Sequence, residues 1–259
     1  VHRILISDPL SDEGIRPLLE AEDIQTTVNP SLSHEELLKE LSTSHAMIVR
    51  SQTQVTRELI EQATELKVIG RAGVGVDNID LEAATEHGIV VVNAPDGNTI
   101  STAEHTMAML TALARNIPQA YHNLKQNRWE RKKFIGVELN NKTLGIVGFG
   151  RIGKEVAQRA KGHRMKVIAY DPFLTKEKAE KAGISHGSLE KVLKQADFLT
   201  VHTPLMDETK YLINRESIQL MKTGARILNC ARGGIVEEGA LHEAIKRGKI
   251  AGAALDVMV

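Results

Sequence analysis

Gly148, Gly150 and Gly153 stand in a G-x-G-x-x-G spacing within TLGIVGFGRIGKEV, residues 143–156. Alone this pattern is weak in a chain with 20 glycines, so its flanks decide its meaning. An apolar run precedes it and a helical pattern, KEVAQRAKGH, follows. In that setting Gly148 permits a tight turn, Gly150 lets backbone approach a pyrophosphate, and Gly153 lets helix and strand pack closely. A pyrophosphate would lie on the amides of the helix N-terminus, where unsatisfied donors and the dipole favour an anion. Arg151 and Ile152 complete the turn, and Arg151 is placed to touch a phosphate. About twenty residues further on, KVIAYD ends in Asp171, the position of an acid that bonds an adenosine ribose diol. A carboxylate there repels a 2′-phosphate, so the expected cofactor is NAD rather than NADP. The plainer alternative is a strand-to-helix turn that holds no ligand.

A second cluster, GRAGVGVDNID (70–80), places Gly73, Val74 and Gly75 after another apolar run. Its best alignment meets Asn78 where the third glycine belongs, and no strand-terminal acid follows at the right distance. It is rejected as a second dinucleotide site. On spacing alone it reads as turn chemistry ahead of a loop presenting amides to a substrate anion.

Hydride transfer at an acid substrate needs a cation for the carboxylate and a group that handles the hydroxyl proton. Arg232 in NCARGG (229–234) follows an apolar run and precedes two glycines, where its guanidinium fork can meet a carboxylate unshielded. A surface ion-pair arginine is the competing reading.

These positions need a scaffold. Short β-branched runs at 3–7, 24–28, 46–50, 67–71 and 89–93 alternate with helical patterns such as SHEELLKELS, where Ser33 and Glu36 suit a capping box. A helical stretch at 99–117, closed by Pro118, follows, and then the alternation restarts at 143–149, 166–171, 198–202, 225–230 and 252–257. The expected fold is α/β, with two doubly wound parallel-sheet domains: residues 1–97, and residues 98–259 beginning with helices between the two units. In parallel sheets of this kind ligands bind at the carboxyl ends of the strands.

Composition narrows the function. Lys+Arg and Asp+Glu both number 33, so no basic excess speaks for nucleic acid or an anionic membrane. Aromatic residues are 3% of the chain, too few for base-stacking platforms. Cys230 is the one cysteine, which excludes an internal disulfide framework and suits a reducing, cytoplasmic setting. No zinc-spaced cluster or membrane-length apolar run is seen, so neither a metal nor a membrane is expected.

GRIG, YDP, VHTPL, NCARGGIVEEGAL and AGAALDV, in this order and spacing, resemble the D-isomer-specific 2-hydroxyacid dehydrogenases. ISDPL, IVRSQTQV, NAPDGNTISTAEHT and WERKKFIGVEL resemble the branch that acts on 3-phospho-D-glycerate. The resemblance implies a flavodoxin-like substrate domain followed by a Rossmann NAD domain, and a first step of serine synthesis. Arg232 would be the catalytic arginine, orienting the substrate carboxylate and polarising its carbonyl. His202, Thr203 and Pro204 would line the nicotinamide ribose, Cys230 and Ala231 would border the cofactor, and Asp256 would bond the carboxamide. Arg50 and Ser51, with the Gly73–Val74–Gly75 loop, would meet a small phosphorylated 2-hydroxy acid. Arg131, Lys132 and Lys133 would approach a partner subunit's site in a homodimer or homotetramer, although a solvated basic run explains them equally.

The family pattern continues from the last strand into a catalytic glutamate, a proton-transferring histidine and a return to the first domain, whereas this chain reads LDVMV and stops. His242 sits in a helical pattern and is no substitute, and His202 and His105 match positions with other roles. The polypeptide as written is therefore expected to bind NAD with impaired turnover. Other implied readings are a glyoxylate, hydroxypyruvate, lactate or formate dehydrogenase, and an NAD-sensing corepressor of the same fold.

Overall fold

The structure, a computed structural model, describes residues 1–259. The chain divides into two compact units, Val1–Asn98 and Thr99–Val259.

In the first unit β1 (His2–Ile6), α1 (Asp12–Leu19), β2 (Ile24–Val28), α2 (His34–Leu41), β3 (Ala46–Val49), α3 (Arg57–Gln62), β4 (Val68–Arg71), α4 (Leu81–Glu86) and β5 (Val90–Asn93) alternate along the chain. All pairings are parallel, in the order β2-β1-β3-β4-β5. This is the flavodoxin-like order, with its switch point between β1 and β3. Central-strand residues Leu5, Met47, Val49 and Ile69 are wholly buried against Leu41, Leu59 and Ile60 of the helices. Side chains of Ser11, Ser33, Thr56 and Asp80 cap the four helices. The Ser33–Glu36 capping box forms as expected: the Ser33 amide donates to Glu36 at 2.9 Å and the Glu36 amide donates to Ser33 at 3.4 Å. A cap of this kind contributes about 1 kcal/mol.

The second unit opens with α5 (Thr99–Arg115) and α6 (Ile117–Lys125). Pro118 does not close the helical stretch as expected. The break falls at Asn116, whose φ of 55° is left-handed, and Pro118 sits in the first turn of α6, where its missing N–H costs nothing. A 3-10 turn at Arg131–Phe134 leads to β6 (Thr143–Val147), α7 (Arg151–Gly162), β7 (Lys166–Tyr170), α8 (Lys176–Lys181), β8 (Ser185–His186), α9 (Leu189–Gln195), β9 (Phe198–Val201), α10 (Arg215–Leu220), β10 (Ala225–Asn229), α11 (Glu238–Lys246) and β11 (Ile250–Leu255). The sheet is wholly parallel in the order β11-β10-β9-β6-β7-β8. That is the doubly wound dinucleotide-binding order, reversing between β6 and β9. One face is covered by α5 and α7, with Ala103, Leu110 and Ala114 of α5 wholly buried beside Ile146, Phe198 and Leu228. The other face is covered by α9, α10 and α11. Residues between β6 and β7 expected to begin the helix at Lys154 already turn helical at Arg151.

Candidate functional site

The turn after β6 is built by its glycines. Gly148 has a φ of 92°, a backbone region that L side chains rarely adopt. A Cβ there would also lie 2.5 Å from the His202 carbonyl oxygen. At Gly153, inside α7, a Cβ would run into the Gly148 carbonyl oxygen and stand 3.4 Å from Ile146, so helix and strand touch only because the residue is glycine. Gly150 differs: a Cβ there would meet nothing within 4 Å. It is the N-cap of α7 and brings no side-chain cap, so the first-turn amides face outward with the positive end of the helix dipole. Arg151 and Ile152 follow as the first residues of that turn.

Asp171 lies at the carboxyl end of β7, beside this turn. One carboxylate oxygen accepts the Phe149 amide and the other the Phe173 amide, each at 2.8 Å. A carboxylate offers about four acceptor sites, so two protein bonds leave capacity for ribose hydroxyls. A cavity of about 480 Å³ opens here, bordered by Gly150, Asp171, Phe173, Leu174 and Ala182. Lys154, Lys178 and Lys181 also line it, and its size with this mix of apolar and charged groups suits a nucleoside bearing phosphate.

Across the switch point, β9 is followed by His202, Thr203 and Pro204. His202 Nε2 lies 3.0 Å from the hydroxyl oxygen of the wholly buried Thr200. Burial pushes the imidazole down to about 4, which keeps it neutral at ordinary pH. His202 Nδ1 and Thr203 Oγ1 are buried without a protein hydrogen-bond partner. Two orphaned polar atoms beside a glycine turn with an open Cβ position fit a polar ligand such as a dinucleotide.

The turn after β10 carries Cys230, Ala231 and Arg232. Asn229, which sequence reading passed over, folds it: its Nδ2 donates to the Arg232 carbonyl at 2.8 Å and its Oδ1 accepts the Ala231 amide at 3.0 Å. An Asn ending a strand before a glycine pair is an Asx-turn signal, so the cue was present. Arg232 Nη1 donates to the Ala231 carbonyl at 2.8 Å, and the side chain is half-buried on the carboxyl edge of the sheet. The Cys230 thiol packs 3.5 Å from Met109 Sδ of α5, and burial pushes its pKa up. Asp256, just past β11, meets His105 Nε2 at 3.2 Å.

In the second unit, then, the strands gather Gly148–Gly153, Asp171, His202–Pro204, Cys230–Arg232 and Asp256 along one sheet edge. The basic run lies elsewhere in that unit: Arg131, Lys132 and Lys133 are exposed in the 3-10 turn, and Lys133 pairs with Glu130 at 2.5 Å.

The first unit places its candidates on its own carboxyl edge. Arg50 and Ser51 follow β3, and Gly73, Val74 and Gly75 follow the adjacent β4. The Val74 carbonyl accepts Asn93 Nδ2 at 2.7 Å, and a Cβ on Gly73 would collide with the Arg71 guanidinium.

No helix is long and apolar enough to cross a membrane. No group of three or more His, Cys, Asp or Glu side chains is arranged to hold a metal ion.

Residues 107–259 match the family model for the D-isomer specific 2-hydroxyacid dehydrogenase, NAD binding domain. The chain is 53% identical over 255 residues to D-3-phosphoglycerate dehydrogenase of Bacillus subtilis, covering 98% of this chain and 48% of the relative. It is 51% identical over 257 residues to the human D-3-phosphoglycerate dehydrogenase, covering 99% and 48%. The chain thus spans about half the length of the curated relatives it matches. Among solved structures it resembles D-lactate dehydrogenase from Aquifex aeolicus complexed with NAD and lactic acid, with a TM-score of 0.90 and 32% identity over 99% of this chain and 77% of that one. Fold order, glycine turn, strand-end acid and these likenesses agree: the chain belongs to the D-isomer specific 2-hydroxyacid dehydrogenase family, and residues 107–259 are its NAD binding domain.

Proposed function

We propose that the protein containing this chain oxidises 3-phospho-D-glycerate to 3-phosphohydroxypyruvate with NAD, the opening step of serine biosynthesis. The observation that carries the reaction class is that the α7 N-terminus and Arg232 lie on the same carboxyl edge of the sheet, an anion cradle and a guanidinium after strands separated only by β9. The substrate assignment is supported by the 53% identity to a D-3-phosphoglycerate dehydrogenase, against 32% to a D-lactate dehydrogenase.

When bound, NAD would supply the acceptor for the hydride that leaves the substrate carbon. The α7 amides would hold its pyrophosphate, Asp171 its adenosine ribose, His202–Pro204 would line the nicotinamide ribose, and Asp256 would bond the carboxamide. Arg232 grips the substrate carboxylate and polarises the forming carbonyl, because its planar fork matches two oxygens at once. Arg50, Ser51 and the Gly73–Gly75 loop meet the substrate, and Arg131, Lys132 and Lys133 attract the phosphate of a substrate bound in a partner subunit. Neutral and tied to Thr200, His202 shapes the turn rather than accepting the proton.

The protein works as a homo-oligomer in this reading. Ile117, Tyr121 and Leu124 are exposed on one side of α6, with Trp129 exposed just beyond it. A row of large apolar groups of this kind is a usual mark of a protein contact.

The test is to assay the full-length protein with NAD and 3-phosphoglycerate, D-lactate and glycolate in parallel, following NADH. Fastest turnover per KM on 3-phosphoglycerate is expected. Preference for an unphosphorylated acid would overturn the substrate, and no NADH with any 2-hydroxy acid would overturn the reaction.

A further inference from the structure

The loop after β3 is held from both sides by buried polar side chains. Asp8, at the end of β1 and 1% exposed, accepts the Arg50 amide at 2.5 Å, the Thr53 amide at 3.1 Å and the Thr53 hydroxyl at 2.7 Å. The Ser7 hydroxyl oxygen lies 3.0 Å from the Thr53 hydroxyl oxygen, extending the network. Asn78, 8% exposed, donates through its one Nδ2 to the Arg50 carbonyl at 2.8 Å and to the Thr53 carbonyl at 2.6 Å. Its own carbonyl accepts the Val55 amide at 2.7 Å, so its backbone is tied to the same loop. Residues 50–53 are therefore gripped by a carboxylate on their amides and by an amide on their carbonyls. Between the two gripped residues lies Ser51, exposed, and Arg50 is itself exposed, its Nη1 donating to the Pro9 carbonyl at 3.5 Å.

Asn78 occupies the position where the second glycine cluster lacks its third glycine. A glycine would serve a phosphate-binding turn; this side chain instead joins the Gly73–Gly75 loop to the Arg50–Thr53 loop. We propose that Asp8 and Asn78, acting through Thr53, are positioning residues that lock the Arg50–Ser51 loop in register with the Gly73–Gly75 loop, so that one rigid surface receives the anionic substrate. Neither residue touches substrate in this account. The Asp8 side chain accepts from three donors at once, and a polar group buried at that depth is held in place by having its oxygens bonded. The proposal rests on the reading of this loop as the substrate loop.

Two pairs of variants test it in the full-length protein. Asn78→Asp is isosteric but turns both donors into acceptors facing two carbonyls. Thr53→Val removes the hydroxyl that Asp8 accepts, and Thr53→Ser restores it. Asn78→Asp and Thr53→Val should speed hydrogen exchange of the Arg50 and Thr53 amides and raise the KM for 3-phosphoglycerate by roughly tenfold or more, since small misplacements of a positioning surface are costly. The Kd for NAD should hold in both. Thr53→Ser should return exchange and KM close to the parent.

Unchanged exchange in Thr53→Val overturns the lock, and faster exchange with an unchanged KM overturns its role in substrate positioning. If Asn78→Asp does not fold, the Thr53 pair decides alone. If the parent uses a different 2-hydroxy acid, the substrate assignment falls, while the same KM comparison on that acid still decides the lock.

Discussion

The Asp171 carboxylate accepts the Phe149 amide at 2.8 Å, so the acid proposed to hold the ribose also fastens the glycine turn. Removing it has two effects. Asp171→Ala should weaken NAD binding while penalising NADP less, and should destabilise the second unit by about 1.5–3 kcal/mol, the usual size for hydrogen bonds to a charged group. Cofactor titration and urea unfolding of the variant measure the two separately. A loss of stability with an unchanged NAD/NADP affinity ratio would leave Asp171 a turn fastener only.

Gly148 and Gly150 should respond oppositely to the same methyl group. Gly148→Ala forces a positive φ on alanine and a collision with His202, so it should cost more than about 2 kcal/mol of stability. Gly150→Ala meets open space and should cost below about 1 kcal/mol, the size of a weakened N-cap. In the proposed site its methyl group would stand in the path of the pyrophosphate, so NAD affinity should drop sharply. Equal stability losses, measured by denaturation, would contradict this division of labour.

His202 makes stability depend on pH. Its folded pKa of about 4 lies below the ordinary value near 6.5. The unfolded chain therefore takes up a proton below about 6.5 while the folded chain does not until about 4. Stability from this group is complete above 6.5 and is lost as pH falls through that window, by on the order of 3 kcal/mol. Urea midpoints of the parent and His202→Gln at pH 7.5 and 4.5 give the double difference. The parent should lose more, and an equal loss in both would clear His202 of the effect.

Arg232→Lys keeps the charge and loses the planar fork. Turnover should fall about a hundredfold on every 2-hydroxy acid accepted by the parent, the size typical of one lost transition-state donor. NAD affinity should stay. Full activity in the variant would remove Arg232 from the reaction.

Much of the scaffold was legible because its signals are local. A β-branched run, a glycine turn and a helical pattern within fifteen or so residues specify the β6–α7 unit without help from elsewhere. The capping box at Ser33 and Glu36 was visible for the same reason. Pro118 misled because proline ends a helix or begins one, and the left-handed Asn116 beside it carries no equally loud mark. At two residues, β8 is too short to show a period. The grip of Asp8 and Asn78 on the Arg50–Thr53 loop was not legible at all. Its bonds span 25 to 45 residues of chain and exist only once β1, β3 and β4 lie side by side.

Cys230 has a consequence for experiment. Its thiol is buried against Met109 and held in the protonated form by that burial, so alkylating and maleimide reagents meet a slow nucleophile. Within these residues no other thiol competes. A reporter cysteine placed at Tyr121, on the exposed side of α6, would be labelled against a silent background. Spin or dye pairs at that site would then test the proposed homo-oligomer by distance, with the native sulfur left in place.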